Sequence, residues 1–136
     1  MRTFFAVLVL TCFSWSLAAA QQVTAATIDR DCAPWDGAAF RVLIPLQGSA
    51  LEIAIWQAPD LKRATTFSFP DPQGRRGVAF LRPPFGAVHE LSGTVSFSRV
   101  EVGQPVEGEL KLVAANGNKF EHRFKASWGK HMPLCG

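Results

Sequence analysis

The chain has 136 residues, 48% of them hydrophobic, and a formal net charge of +3. A chain of this size can bury an adequate core without help. The small positive charge, carried by Lys and Arg that are scattered rather than striped, argues against a nucleic-acid partner.

The chain opens Met1-Arg2, continues through the apolar run Phe4 to Leu10, and reaches Leu17-Ala18-Ala19-Ala20. A positive start, a short apolar run and a small-residue end make a secretory signal peptide. The expectation is therefore that residues 1–20 are a leader cleaved near Ala20. Residues 21–136 would form one β domain, exported to the periplasm or secreted. A lipoprotein anchor at Cys12 is set aside, because Leu10-Thr11-Cys12 lacks the small residue wanted before the cysteine. No later segment approaches the roughly 20 apolar residues a membrane helix needs, so no transmembrane span is expected after cleavage. Cys12 leaves with the leader. Cys32 and Cys135 remain near the two ends of the mature chain, and an oxidising compartment makes a disulfide between them the economical reading.

Gln21 to Arg30, polar and rich in Ala and Thr, reads as a loose lead-in, and Asp31 to Gly37 as a turn. Phe40, Val42 and Ile44 share one face of a strand over Ala39–Ile44 that Pro45 should stop. After a turn at Gln47-Gly48-Ser49, Leu51–Gln57 turns Leu51, Ile53 and Ile55 inward and Glu52, Ala54 and Trp56 outward, as the hairpin partner of the first strand. Ala58–Arg63 reads as a loop, with one short helical turn as the alternative. Thr65–Phe69 buries Phe67 and Phe69. The stretch Pro70–Gly77 is a loop, Val78–Leu81 a short strand, and Val88–Leu91 a further strand or a lead into the next.

From Gly93 to Trp128 the alternation is clear and predicts three antiparallel strands. A bulge at Ser98-Arg99 would put Val95, Phe97, Val100 and Val102 on one face. A three-residue loop at Asn116-Gly117-Asn118 would pair Leu112 with His122, Leu110 with Phe124 and Lys111 with Arg123. A two-residue loop would mix apolar and charged groups on both faces, because a one-residue slip inverts the pattern. His122 is the exception in the inward series. Residues 129–136 read as an irregular tail held by Cys135. No segment shows helical periodicity. The whole predicts an all-β fold: an antiparallel β-sandwich, or a small barrel, of about 7–8 short strands closed by a terminal disulfide.

Chemistry is harder to find. His89, His122 and His131, with Glu90 and Cys135, lack the spacing of metal ligands, so no metal site is expected. Asp36, Asp60 and Asp71 could supply a carboxylate pair for glycoside hydrolysis, but aspartates in loops usually serve turns. There is no nucleophile elbow, no phosphate loop and no HExxH, so no cofactor is expected and binding is favoured over catalysis. Arg75-Arg76 at a loop tip could meet an anion. Trp35, Trp56 and Phe85 stand out as a ligand-binding platform, since amphipathic rings suit a surface that is apolar on one side and wet on the other. The sequence thus points to an exported binding or accessory module for a small-molecule, glycan or protein ligand. Two alternatives stand beside it. One is a small periplasmic hydrolase or metal-binding protein using His89, His122 or His131; the other is an envelope structural or assembly domain.

Overall fold

Ala26 and Ile28 on one strand and Phe40, Val42 and Ile44 on the next are buried, and between them runs the ladder at the middle of the sheet. The computed structural model describes residues 22–136, so the expected leader at residues 1–20 lies outside the described residues. Eleven strands follow in chain order: β1 (Val23–Cys32), β2 (Ala38–Leu46), β3 (Ser49–Ile55), β4 (Asp60–Leu61), β5 (Thr65–Phe69), β6 (Gly77–Arg82), β7 (His89–Glu90), β8 (Ser92–Phe97), β9 (Val100–Glu101), β10 (Val106–Val113) and β11 (Lys119–Trp128). Nine form one sheet in the order β5-β8-β10-β11-β1-β2-β3-β6-β7, and β4 and β9 pair separately.

The all-β reading holds, and so does the disulfide: Cys32 and Cys135 are bonded across 103 residues. The architecture differs from the expectation in two ways. Among the described residues there are eleven strands rather than 7–8, and the sheet is mixed, because β1 runs parallel to β11, from Val23 opposite Arg123 to Ile28 opposite Trp128. The supposed lead-in is thus the central strand. Its inward positions after Thr24 are Ala26 and Ile28, too small a hydrophobic signal to stand out, and its pairing partner lies at the far end of the sequence.

The sheet is strongly curled. Phe40 on β2 and Phe97 on β8 stand four strand spacings apart in sheet order, roughly 19 Å if flat, yet their ring centroids are 5.5 Å apart. Phe97 also meets Phe67 and Phe124 edge-to-face, each at 5.9 Å, so it is the hub of the interior. Ala26 and Ala126 face each other at the middle of the curl, leaving that volume to the rings. At the two sides of the sheet β5 and β6 come close without pairing. The Arg76 guanidinium lies 4.6 Å over the Phe67 ring and bridges that gap.

Several local expectations are corrected. Pro45 does not stop β2, which continues to Leu46. Proline is tolerated there because the β1 ladder has already ended at Leu43. Asp60-Leu61, expected in a loop, pairs with Glu101-Val100, which buries Leu61 and Val100. The chain leaves the main sheet at Ser98-Arg99, so Val100 is buried in the small sheet while Val102 points out, 40% exposed.

The final hairpin keeps the expected faces but shifts its register by two residues. Leu110 opposes His122, Leu112 opposes Phe120, and Ala114 to Asn118 form the loop, closed by the Ala114 N–H donating to the Asn118 carbonyl. The reason lies on the wet face. This register sets Glu107 against Lys125, Glu109 against Arg123 and Lys111 against Glu121, where the expected one opposed Lys111 to Arg123. Gly108 is required beside it, since a Cβ there would strike the Phe124 ring and the Ser96 carbonyl.

This register makes a direct prediction. Lys111→Glu places like charges across the ladder and should lower stability by about 0.5–1 kcal/mol in urea denaturation. Adding Glu121→Lys should restore most of it. Purely additive losses would mean the two side chains do not face each other.

Candidate functional site

One end of the curled sheet gathers the end of β1, the start of β2, the end of β3 and the end of β11. The disulfide, the small β4–β9 sheet and the tail are all at this end. The β2–β3 turn, the loop after β6 and the β10–β11 loop lie at the opposite end.

Two of the three predicted platform residues meet at the disulfide end. The Trp35 and Trp56 rings are 5.7 Å apart, edge to face at 77°. Trp56 extends β3 by donating its backbone N–H to the Arg76 carbonyl (2.9 Å). Trp35 is carried by the tight 33–37 turn, in which Ala33 donates to the Gly37 carbonyl and Asp36 to the Ala33 carbonyl. Asp36 adopts φ 62°, a conformation that short polar residues tolerate best. The Trp35 ring folds over Gly37, where a Cβ would crowd its Nε1 at 2.8 Å, and it remains 54% exposed. Phe85 is 91% exposed but does not join them. It follows Arg82, which pairs with Ala50, whereas the tryptophans stand where Gly77 pairs with Ile55. A whole strand length separates the two places.

The histidines do not converge. His89 lies on β7 beside Leu81 toward the opposite end, His131 is in the tail, and His122 on β11 is half-buried with Nδ1 3.5 Å from Thr24 Oγ1. Cys135 is spent on the disulfide. Among the described residues, no group of three or more His, Cys, Asp or Glu is placed to hold a metal ion. The three aspartates expected in loops are each occupied locally: Asp36 in its turn, Asp60 on β4 by Lys62 at 3.1 Å, and Asp71 by the backbone N–H groups of Arg75 and Arg76 at 2.8 and 3.0 Å. Arg75-Arg76 therefore belongs to a loop closed by its own carboxylate, with Arg76 committed to Phe67.

A feature absent from the sequence reading lies on the outer face of β1, β2, β3 and β6. Asp31, Arg41, Glu52 and Arg82 form a diagonal chain of charges, with Arg41 4.0 Å from Asp31 and 3.8 Å from Glu52, and Arg82 donating to Glu52. Glu52 is only 7% exposed, and its hydrogen bond pushes the Arg82 pKa up. An alternating strand cannot reveal this, because outward carboxylates are ordinarily wet. The arrangement is structural: both carboxylate oxygens of Glu52 face a guanidinium, Arg41 on one side and Arg82 on the other.

The other missed feature is a groove beneath the tail, made of two hollows of about 310 and 300 Å³ that both have Arg30 and Val102 in their walls. Arg30 was hidden in the supposed lead-in, and its inward parity becomes visible only once β1 is recognised as a strand. No family model, curated protein or solved structure matches the chain. No helix among the described residues is long and apolar enough to cross a membrane.

The Asp71 loop yields a pH prediction. The Arg75 N–H, donating to its carboxylate, holds the Asp71 pKa below the ordinary value. A depressed carboxyl pKa means the loop's contribution is complete above about pH 4, the unfolded value, and is lost as pH falls through the folded one. Carboxyl NMR should therefore show Asp71 titrating below an ordinary aspartate, with the Arg75 and Arg76 amide shifts following it. A midpoint at the ordinary value would contradict this.

Proposed function

We propose that this chain is an exported binding module without catalysis of its own, in which residues 1–20 direct export and residues 21–136 act as one domain. The single observation that carries the reading is the Trp35–Trp56 pair: a largely exposed indole held by a partly buried one, on a turn tied down beside a disulfide. Large rings left in water at a fixed angle cost stability unless something covers them, and a rigid aromatic pair binds with little loss of side-chain freedom. A disulfide beside the site suits a protein that works in an oxidising compartment.

The ligand best suited to such a pair has a flat face that is apolar in part and polar at its edge, as a sugar ring has. Stacking would take place on Trp35, with Trp56 bracing it. Phe85 lies too far along the sheet to share that ligand and is left out of the site. A protein partner is the second reading, favoured by the apolar residues Leu43, Ala54, Val78 and Phe80 that share the outer face with Trp56.

Titration with cellohexaose, maltohexaose and chitohexaose tests the first reading. At least one should quench indole fluorescence saturably, and Trp35→Ala should abolish the effect while leaving the melting temperature nearly unchanged. If none of the three binds at millimolar concentration, the sugar-binding reading falls. If Trp35→Ala unfolds the protein, the ring is core and the platform reading falls with it.

A further inference from the structure

The groove beneath the tail shares no residue with the tryptophan pair, and its chemistry is different. The hollow nearer Trp128 has Arg30, Lys130 and His131 around it and Val102, Trp128 and Met132 as its apolar wall. No acidic residue lines it. At about 300 Å³ it is at the small end of ligand sites.

Arg30 is the unusual member. It ends the inward series Thr24, Ala26, Ile28, Arg30 on β1, so its side chain leaves the strand on the core side and is half-buried. Among the described residues it makes no ion pair, and neither Lys130 nor His131 makes one. The acids of the adjoining hollow, Asp31 and Asp60, are already engaged by Arg41 (4.0 Å) and Lys62 (3.1 Å). Asp29, the remaining acid nearby, sets its carboxylate against Gly129 and makes no ion pair with Arg30. A partly desolvated guanidinium with no carboxylate in contact favours an incoming anion, and its planar fork matches a carboxylate.

The apolar wall is fixed. Trp128 packs against the core, and its Nε1–H donates to the carbonyls of Glu101 (3.0 Å) and Gln104 (2.8 Å). The same bonds hold the turn that carries Val102, which explains how a valine can remain 40% exposed at the mouth of the groove. The tail that closes the other side is anchored by Cys135.

We propose that this groove is a binding site for a small organic anion, one carboxylate joined to a flat apolar body. The carboxylate would pair with Arg30, assisted by Lys130 and His131, and the body would lie against Trp128, Val102 and Met132. The site goes beyond the tryptophan platform and stands or falls independently of it.

The test is titration of the oxidised protein with 2-naphthoate and with its uncharged analogue 2-naphthamide, followed by calorimetry and by amide and indole NMR. The expected result is saturable one-site binding of naphthoate, with shifts at Arg30, Gly129 and the Trp128 Nε1–H. Arg30→Gln should weaken naphthoate by about tenfold or more, as loss of a charged hydrogen bond implies, and naphthamide should bind no better than that. Trp35→Ala should leave the binding intact. Should Arg30→Gln fail to fold, Met132→Asp in the exposed tail sets a like charge in the groove and must weaken naphthoate. The proposal is overturned if naphthoate does not saturate at millimolar concentration, or if naphthamide binds equally well. It is equally overturned if Arg30→Gln or Met132→Asp binds like the wild type, or if Trp35→Ala removes the binding.

Discussion

One parallel pairing joins the two halves of this fold. β1 lies at the centre of the nine-stranded sheet, with antiparallel β2-β3-β6-β7 on one side and β11-β10-β8-β5 on the other. The β1–β11 ladder, prolonged by the Gly129 N–H donating to the Ile28 carbonyl, is the only strand pairing that connects these halves in the described sheet. Parallel pairing between strands so distant in sequence costs much chain entropy to form. The disulfide between Cys32, the last residue of β1, and Cys135, beyond β11, offsets this. In the chain-entropy picture, closing a loop of that size stabilises the fold by about 4–5 kcal/mol.

The curl follows from the same pairing. With small Ala26 and Ala126 opposed at the centre, the sheet can bend until Phe40, Phe67 and Phe124 all reach Phe97. The bend separates an interior of rings from an outer surface that differs between the halves. β10 and β11 carry complementary charges, while β2, β3 and β6 carry apolar residues around a buried Glu52. The end of β1 and the C-terminal tail meet at one end of the sheet, where Cys32 is bonded to Cys135. Both candidate sites lie there because the disulfide holds irregular backbone, the 33–37 turn and the tail, in a fixed position.

Much of this was legible in the sequence, and the limits have physical causes. Strict alternation revealed the faces of β2, β3, β5, β10 and β11, since burying one face leaves a period-two trace. Cysteine arithmetic, with the oxidising compartment that the expected leader implies, points to the disulfide. β1 escaped because Ala and Thr at its centre write no hydrophobic pattern, so Arg30 escaped with it. The hairpin register turned on which charges face each other, a term smaller than the burial term that alternation reports. Two-residue β4 and β9 are too short for any period, and without them the outward turn of Val102 could not be foreseen. Trp35 and Trp56 were recognised singly from their types, but that they touch while Phe85 does not required the topology.

The most direct test of this account is native-state hydrogen exchange of the β1 amides, with the disulfide formed and after Cys32→Ser. The account predicts that Thr27 and Ile28, paired on both flanks, are among the slowest amides in the oxidised protein, as slow as those of β11. Removing the disulfide should speed β1 and β11 together. If the β1 amides exchange like a frayed terminus while β10 and β11 remain protected, β1 is not the strand that joins the halves, and the central claim is wrong.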